Sequence, residues 1–389
     1  MGIQAAQVID FKDNYMKEPG AKKNIREILD SSDVRINGNR AWDIRIHNPD
    51  FYERVLSGGS LALGESYMDG WWDCEALDQF FERILENRLD KDARTKTMMS
   101  LWILLKAKII NSQKRSKAYV IGKRHYDIGN NLFSIMLDRG MNYSCGYWKK
   151  AKTLDAAQEA KMDLTCKKMG LRPGMKVLDI GCGWGGFAEF ASKKYGVNVY
   201  GITVSQEQMK FAKNFCRGLD VKIELKDYRE LKEKFDRIVS IGMFEHVGCR
   251  NYRTYMKVIH RCLKTDGLFL LHTIAGNTSV NSTDSWINKY IFPNSMLPSA
   301  KQITSAAEGL FVLEDWHSFG QYYDRTLMAW HQNFTKNWDK LKDAYDERFY
   351  RMWNYYLLSC AGSFRARRNQ LWQIVFSKKG VKGDLPCRS

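Results

Sequence analysis

Between residues 176 and 195 a short apolar run meets four closely spaced glycines and then a helical pattern. Lys176–Ile180 (KVLDI) reads as a buried strand. Asp179-Ile180-Gly181-Cys182-Gly183-Trp184-Gly185-Gly186 turns it into a helix over 185–195. Glycines at such a corner let the backbone approach a ligand closely and leave amides at a helix N-terminus. The alternation continues with a strand at Asn198–Thr203, a helix at 205–217 opened by an N-cap serine, and strands at Val221–Leu225 and Phe235–Ile241. A helix near 252–263, an apolar strand at 268–273, and strands near 311–316 and 372–377 complete it. The pattern predicts an α/β fold built on a doubly wound, mostly parallel sheet.

The chain has 389 residues, enough for two or three domains, and its 44% hydrophobic and 13% aromatic content supports a sizeable core and excludes wholesale disorder. A formal charge of +17 favours a polyanionic partner, either nucleic acid or an anionic membrane surface. Residues 1–105 mix short helical and extended signals, with turn cues at Asn37-Gly38 and Ser57-Gly58-Gly59, and carry no catalytic motif. A bridge at 98–124 has seven basic residues, Lys106, Lys108, Lys114, Arg115, Lys117, Lys123 and Arg124, and no acid. Its first half is apolar (Leu101, Trp102, Ile103, Leu104, Leu105). Such a segment suits an interdomain helix that docks its apolar side, which is the preferred reading, and it also suits an anionic lipid surface; the two can coexist. We therefore expect an N-terminal domain at 1–105, a basic linker at 106–124 and a catalytic domain at 125–389.

The longest strongly apolar stretch, 98–105, is far short of a bilayer span. The N-terminus lacks the basic and apolar regions of a secretion signal, and Ala6 stands where a myristoylation signal has Ser or Thr. Nine scattered cysteines with no Cys-x-x-Cys pair argue against a disulfide framework or a zinc site, and no metal is expected. A cytoplasmic protein fits best.

Gly181, Gly183 and Gly186 also satisfy G-x-G-x-x-G, so a dinucleotide has to be weighed. Against it, Asp179 precedes the first glycine on the strand itself. The second strand also ends in Thr203-Val204-Ser205, without the carboxylate that grips an NAD ribose. Asp-x-Gly-x-Gly-x-Gly is instead the pattern of S-adenosylmethionine methyltransferases, with Asp179 near the cofactor's ammonium group. Ligands of open parallel sheets sit beyond the carboxyl ends of the strands. Those ends carry Thr203, Ser205 and Gln208, then Asp227 and Tyr228, then Glu245 and His246, then His272, Thr273 and Ile274. A carboxylate and a histidine on adjacent strand ends can share a proton or an anion.

Several blocks together resemble the cyclopropane-fatty-acyl-phospholipid synthase family along most of the chain. They are HYDIGN from His125, YSCGYW at 143–148, VLDIGCGWGG, SIGMFEHVG at 240–248, LLHTI at 270–274 and WINKYIFPN at 286–294. EDWHSFG at 314–320, TLMAW at 326–330 and CAGSFRAR at 360–367 complete the set. Gly146 stands where relatives often carry Ala. The resemblance implies a Rossmann-like class I methyltransferase fold with a seven-stranded sheet and a smaller N-terminal domain. It implies methyl transfer from S-adenosylmethionine to a cis double bond of an unsaturated phospholipid, and closure of a cyclopropane ring. By the same resemblance Tyr143, Ser144, Asp179, Gly181, Cys182, Gly183, Gly185, Thr203, Ser205, Gln208, Tyr228 and Arg229 line the cofactor site. Cys145, Glu245, His272, Ile274 and Tyr323 hold a bicarbonate.

The chemistry is coherent. An alkene is a poor nucleophile, so orientation in a dry site supplies much of the rate. Aromatic faces stabilise the resulting carbocation, and Tyr126, Tyr143, Phe244, Trp286, Tyr290, Phe292 and Tyr323 are the candidates, with core packing expected for more than half. A small clamped anion serves as base, and Glu245 accepts the proton of that anion's hydroxyl. Cys145 has a rival role as covalent nucleophile, and Cys360, a further candidate, has one as buried packing. The other readings are an RNA or DNA methyltransferase, a fatty-acyl methyltransferase giving a methyl branch, and a lipid-binding module with a relic cofactor fold. The N-terminal domain is expected to help in membrane docking at the inner face or in self-association as a homodimer.

Overall fold

The structure is a computed structural model that describes residues 20–87, 129–385 and 387. The bridge at 98–124, the expected boundaries at 105 and 124, and the HYD block with Tyr126 lie outside the described residues.

The N-terminal part contains α1 (Gly20–Ser31), β1 (Arg45–Ile46), α2 (Phe51–Met68), β2 (Trp72–Asp73) and α3 (Leu77–Glu86). The strands form a small antiparallel pair. The Ser57-Gly58-Gly59 cue marks a real break: α2 is two helical stretches joined at Gly59, which leaves helical geometry at φ 56° and ψ -139°. At Asn37, also at positive φ, the expected turn does form.

The remainder begins with α4 (Asn130–Met136) and α5 (Leu154–Lys168), then alternates β3 (Lys176–Ile180), α6 (Gly186–Tyr195), β4 (Asn198–Thr203), α7 (Gln206–Phe215), β5 (Val221–Leu225), β6 (Phe235–Ile241), α8 (Tyr252–Cys262) and β7 (Leu263–Gly276). Then come α9 (Ser285–Tyr290), α10 (Ala300–Ala307), β8 (Val312–Ser318), α11 (Gln321–Lys336), α12 (Glu347–Arg365) and β9 (Asn369–Ser377). Seven strands form one sheet in the order β5-β4-β3-β6-β7-β9-β8. Pairings from β5 through β7 are parallel, and β9 runs antiparallel to both β7 and β8. The chain winds outward from β3 through β4 to β5, then returns to the other side with β6. The order therefore reverses between β3 and β6, the position where such sheets open a crevice.

Helix boundaries follow local chemistry. Ser205 caps α7 by accepting from the Gln208 amide at 3.3 Å, and Thr153 caps α5 through the Ala156 amide. Gly185 stands just ahead of α6 at φ 93°, a left-handed conformation that favours glycine.

The N-terminal helices share one hydrophobic cluster with the later ones: Phe51, Tyr67, Trp72 and Phe80 join Trp286, Trp353, Tyr355 and Leu357. Gly362 of α12 lies against the Asp78 carbonyl, and Gly64 of α2 against the Trp286 indole, each too close to admit a Cβ. Arg365 of α12 pairs with Asp78 and Glu82 of α3, and with Asp324 of α11. No helix among the described residues is long and apolar enough to cross a membrane.

Candidate active site

A cavity of about 190 Å³ opens at the carboxyl ends of β3, β4 and β6, at the reversal of strand order. Ten of the twelve cofactor residues expected from the sequence line it: Tyr143, Ser144, Asp179, Gly181, Cys182, Gly183, Thr203, Gln208, Tyr228 and Arg229. Gly185 and Ser205 do not. Gly185 packs beneath α7, where an added Cβ would meet Cys216 Sγ at 3.1 Å, and Ser205 is spent on its capping bond. Gly183 is at φ 55° and has open space where a Cβ would sit, leaving room for a ligand to approach the backbone.

The polar rim is held by its own turns. Thr203 Oγ1 donates to Gln208 Oε1 at 2.9 Å. Asp227 grips the Arg229 guanidinium through both oxygens, at 2.7 and 2.6 Å. His246 lines the cavity beside Met243 and Val247, and burial holds its imidazole down at about 4, so it is neutral. Asp179 is 2% exposed, its Oδ2 has no hydrogen-bond partner, and burial raises its carboxyl to about 7, partly opposed by Lys161.

Of the expected catalytic residues, Glu245 follows β6, His272 and Ile274 lie on β7, and Tyr323 lies on α11. Glu245 sits in a short 3₁₀ turn after β6 and is 5% exposed. The Ile274 backbone N–H donates to its Oε1 at 2.7 Å, while its Oε2 has no partner. Burial raises the Glu245 carboxyl to about 7. His272 lies two residues before Ile274 on β7 and is 1% exposed. Its protonation follows from a chain of donors. Thr165 Oγ1 donates to the Lys161 carbonyl at 2.9 Å, so its oxygen accepts from Gln373 Nε2 at 3.1 Å. That fixes the Gln373 amide, whose Nε2 also reaches His272 Nδ1 at 3.3 Å. Nδ1 is thereby the acceptor, and the imidazole proton resides on Nε2, which has no partner. Burial depresses the imidazole far below its usual value, consistent with a neutral ring.

His272 Nε2–H and Glu245 Oε2 are thus a buried donor and a buried acceptor, each without a partner, and such atoms suit a small species that carries an anionic oxygen and a hydroxyl, as bicarbonate does.

Tyr323 of α11 is buried and stacks on Phe364 at 4.5 Å. Burial raises its hydroxyl well above the usual phenol range, with Cys145 and Glu245 near enough to add to the effect. Cys145 is fully buried beside Thr326 Oγ1 at 3.7 Å, and burial pushes its thiol up, so the thiolate a nucleophile needs is disfavoured. Cys360 of α12 is packed against the large core, its thiol raised by burial to about 12.

Of the aromatic candidates, three converge. Tyr143 lies 6.2 Å from Phe292 and 5.2 Å from Trp330, its hydroxyl 2.7 Å from that of Tyr356. Tyr323 is 6.1 Å from Trp330. Phe244 is instead a core residue stacked on Tyr252, Trp286 packs against Tyr355, and Tyr290 donates to Glu65.

Thr326 of α11 ties the 143–148 segment down by accepting from the Gly146 amide and Trp148 Nε1. A Cβ on Gly146 would stand 2.8 Å from that of Ala157, so this chain packs α5 closer than an alanine there allows. Trp184 of the glycine turn lines the cavity as well, and so do Lys161 and Asn142, which the sequence does not single out. Ala157, Lys161, Thr165 and Lys168 share one face of α5, and only the fold shows that all four are buried. Among the described residues no group of His, Cys, Asp and Glu is arranged to hold a metal ion.

The family model for mycolic acid cyclopropane synthetase matches residues 113–374. The chain belongs to that family. The cyclopropane-fatty-acyl-phospholipid synthase of Escherichia coli K12 is 54% identical over 359 residues, covering 92% of this chain and 94% of that one. A probable fatty acid methyltransferase of Pseudomonas putida is 36% identical over 70% of this chain and 73% of its own. Among solved structures, a cyclopropane synthase of Mycobacterium tuberculosis aligns with TM-score 0.63 at 33% identity, covering 67% of this chain and 98% of that one. A mycolic acid cyclopropane synthase complexed with SAH and CTAB aligns equally well, at the same identity and coverage. In this family the glycine turn belongs to a methyltransferase, and the dinucleotide reading is set aside.

Proposed function

We propose that this protein is a cyclopropane-fatty-acyl-phospholipid synthase, acting on a cis double bond of an unsaturated phospholipid acyl chain. The observation that carries the reading is that Glu245 and His272, buried at the carboxyl ends of neighbouring strands, each keep one polar atom without a partner while the Ile274 amide anchors the other Glu245 oxygen. Support comes from the 54% identical synthase and from the cavity at the reversal of strand order.

Bound S-adenosylmethionine supplies an electrophilic methyl group. The residues around the cavity position that end of the ligand and keep water out. Tyr143, Phe292 and Tyr323 are the aromatic candidates for stabilising positive charge developing on the acyl chain, at about 0.5–2 kcal/mol each. Ring closure releases one proton. In this reading Cys145, Glu245, His272, Ile274 and Tyr323 would hold a bicarbonate, which would supply a local base; His272 Nε2–H would donate to it, and Glu245 Oε2 would be the residue that accepts the proton.

Residues 125–389 form the catalytic unit in this reading, and 106–124 a basic linker that favours anionic lipid. Residues 1–105 assist docking at the inner face of the membrane or self-association. The family places the RNA or DNA methyltransferase reading behind. A methyl-branched product is the alternative, and the 54% identical synthase does not favour it.

The test is incubation with labelled S-adenosylmethionine and unsaturated phospholipid vesicles, followed by chromatography and mass spectrometry of the fatty acids. A labelled cyclopropane acyl chain is expected. Unlabelled lipid, with label in nucleic acid or a soluble metabolite, overturns the assignment, and a labelled branched chain selects the alternative.

A further inference from the structure

The buried face of α5 carries two lysines in different circumstances. Lys168 is ion-paired with Asp315 at 2.7 Å. Lys161, 1% exposed, forms no ion pair among the described residues. Its Nζ donates to Asn142 Oδ1 at 3.3 Å and to Ser144 Oγ at 3.1 Å, both uncharged. The nearby Asp138 carboxylate is taken up by the Gly140 and Asn142 amides and the Asn142 side chain. An ammonium held out of water against two neutral oxygens is poorly compensated, and burial lowers Lys161 to about 8.

Lys161 and Asp179 line the same cavity, and Asp179 also lacks a partner at Oδ2. The protein thus places an under-compensated ammonium and an unsatisfied carboxyl at one cavity without pairing them to each other. Opposite charges set apart in this way match a zwitterion, which presents a carboxylate to one and an ammonium to the other.

We propose that Lys161, backed by Ser144, binds the α-carboxylate of the methionine part of the cofactor, while Asp179 takes its α-ammonium. This rests on reading the cavity as the S-adenosylmethionine site. It gives Lys161 a task that packing alone does not: the cavity distinguishes a ligand with the full amino-acid end from one without the carboxylate.

Calorimetric titration with S-adenosylhomocysteine and with its decarboxylated analogue, which keeps the amine, tests this without turnover. The wild type is expected to bind the analogue about 10- to 100-fold more weakly, the range for a charge-assisted contact. In Lys161→Met the affinity for S-adenosylhomocysteine falls to about that of the analogue, so the gap closes, and in Lys161→Arg part of it returns. Equal affinities in the wild type overturn the proposal even if Lys161→Met does not fold, as does a gap that persists in Lys161→Met. Failure of the wild type to bind either ligand instead removes the cofactor reading of the cavity, and the proposal with it.

Discussion

Replacing Glu245 by Gln separates its chemistry from its cost to the fold. The carboxyl is 5% exposed and raised by burial from 4.5 to about 7 in the folded chain. Below about pH 4.5 both folded and unfolded states are protonated, and the group contributes nothing. Between there and about pH 7 the unfolded chain ionises first, so stability falls as pH rises. Above that range the fold carries the whole penalty, about 3 kcal/mol. Gln keeps an oxygen for the Ile274 N–H, which now donates at 2.7 Å, and does not ionise. Glu245→Gln is therefore expected to be nearly as stable as wild type at about pH 5 and more stable by about 2–3 kcal/mol at about pH 8. Urea unfolding of both proteins at the two pH values measures this, since the other titrating groups cancel in the difference. Turnover in the same variant is expected to fall by about 100-fold or more, with S-adenosylhomocysteine affinity within about twofold of wild type. A stability difference that stays flat with pH, or normal turnover, refutes the reasoning.

Activity of the wild type is expected to fall as pH drops through about 7, because the proton-accepting form of Glu245 is the ionised one; a rate flat from about pH 6 to 8 counts against that role. His272→Ala removes the Nε2–H and is expected to lower kcat by about 100-fold or more while leaving S-adenosylhomocysteine binding intact, read by calorimetry beside the assay. Gly64→Ala places a methyl against the buried Trp286 indole and is expected to destabilise the fold by about 1–3 kcal/mol, measured as a lower Tm. Sedimentation with vesicles checks the basic linker: anionic vesicles should retain the protein at physiological salt and neutral ones release it, and equal retention argues against an electrostatic contact.

Strands β3, β4, β5 and β6 are legible to the residue in the sequence, β5 (VKIEL) by its alternation of apolar and charged residues and the others by β-branched or aromatic residues in short runs. The helix after β3 was set one residue early, because Gly185 belongs to its cap. The Ser57-Gly58-Gly59 cue corresponds to the kink at Gly59, where glycine alone takes the positive φ without strain. Glu245 and His272 stood out because both fall at carboxyl ends of neighbouring strands. Lys161 did not, because a lysine within a helix is ordinarily a solvated residue, and nothing local says that this face meets the sheet.

Local chemistry alone dictated where the backbone turns, caps and runs extended, since glycine conformations, N-cap hydroxyls and apolar runs act over a few residues. What each side chain could do was decided only when distant segments met. The tautomer of His272 depends on Thr165 and Gln373, the orphaned Glu245 oxygen on the Ile274 amide, and the raised carboxyl of Asp179 on burial beneath several elements. Desolvation and hydrogen-bond partnership are properties of a neighbourhood in space, and a chain read in one dimension does not carry them.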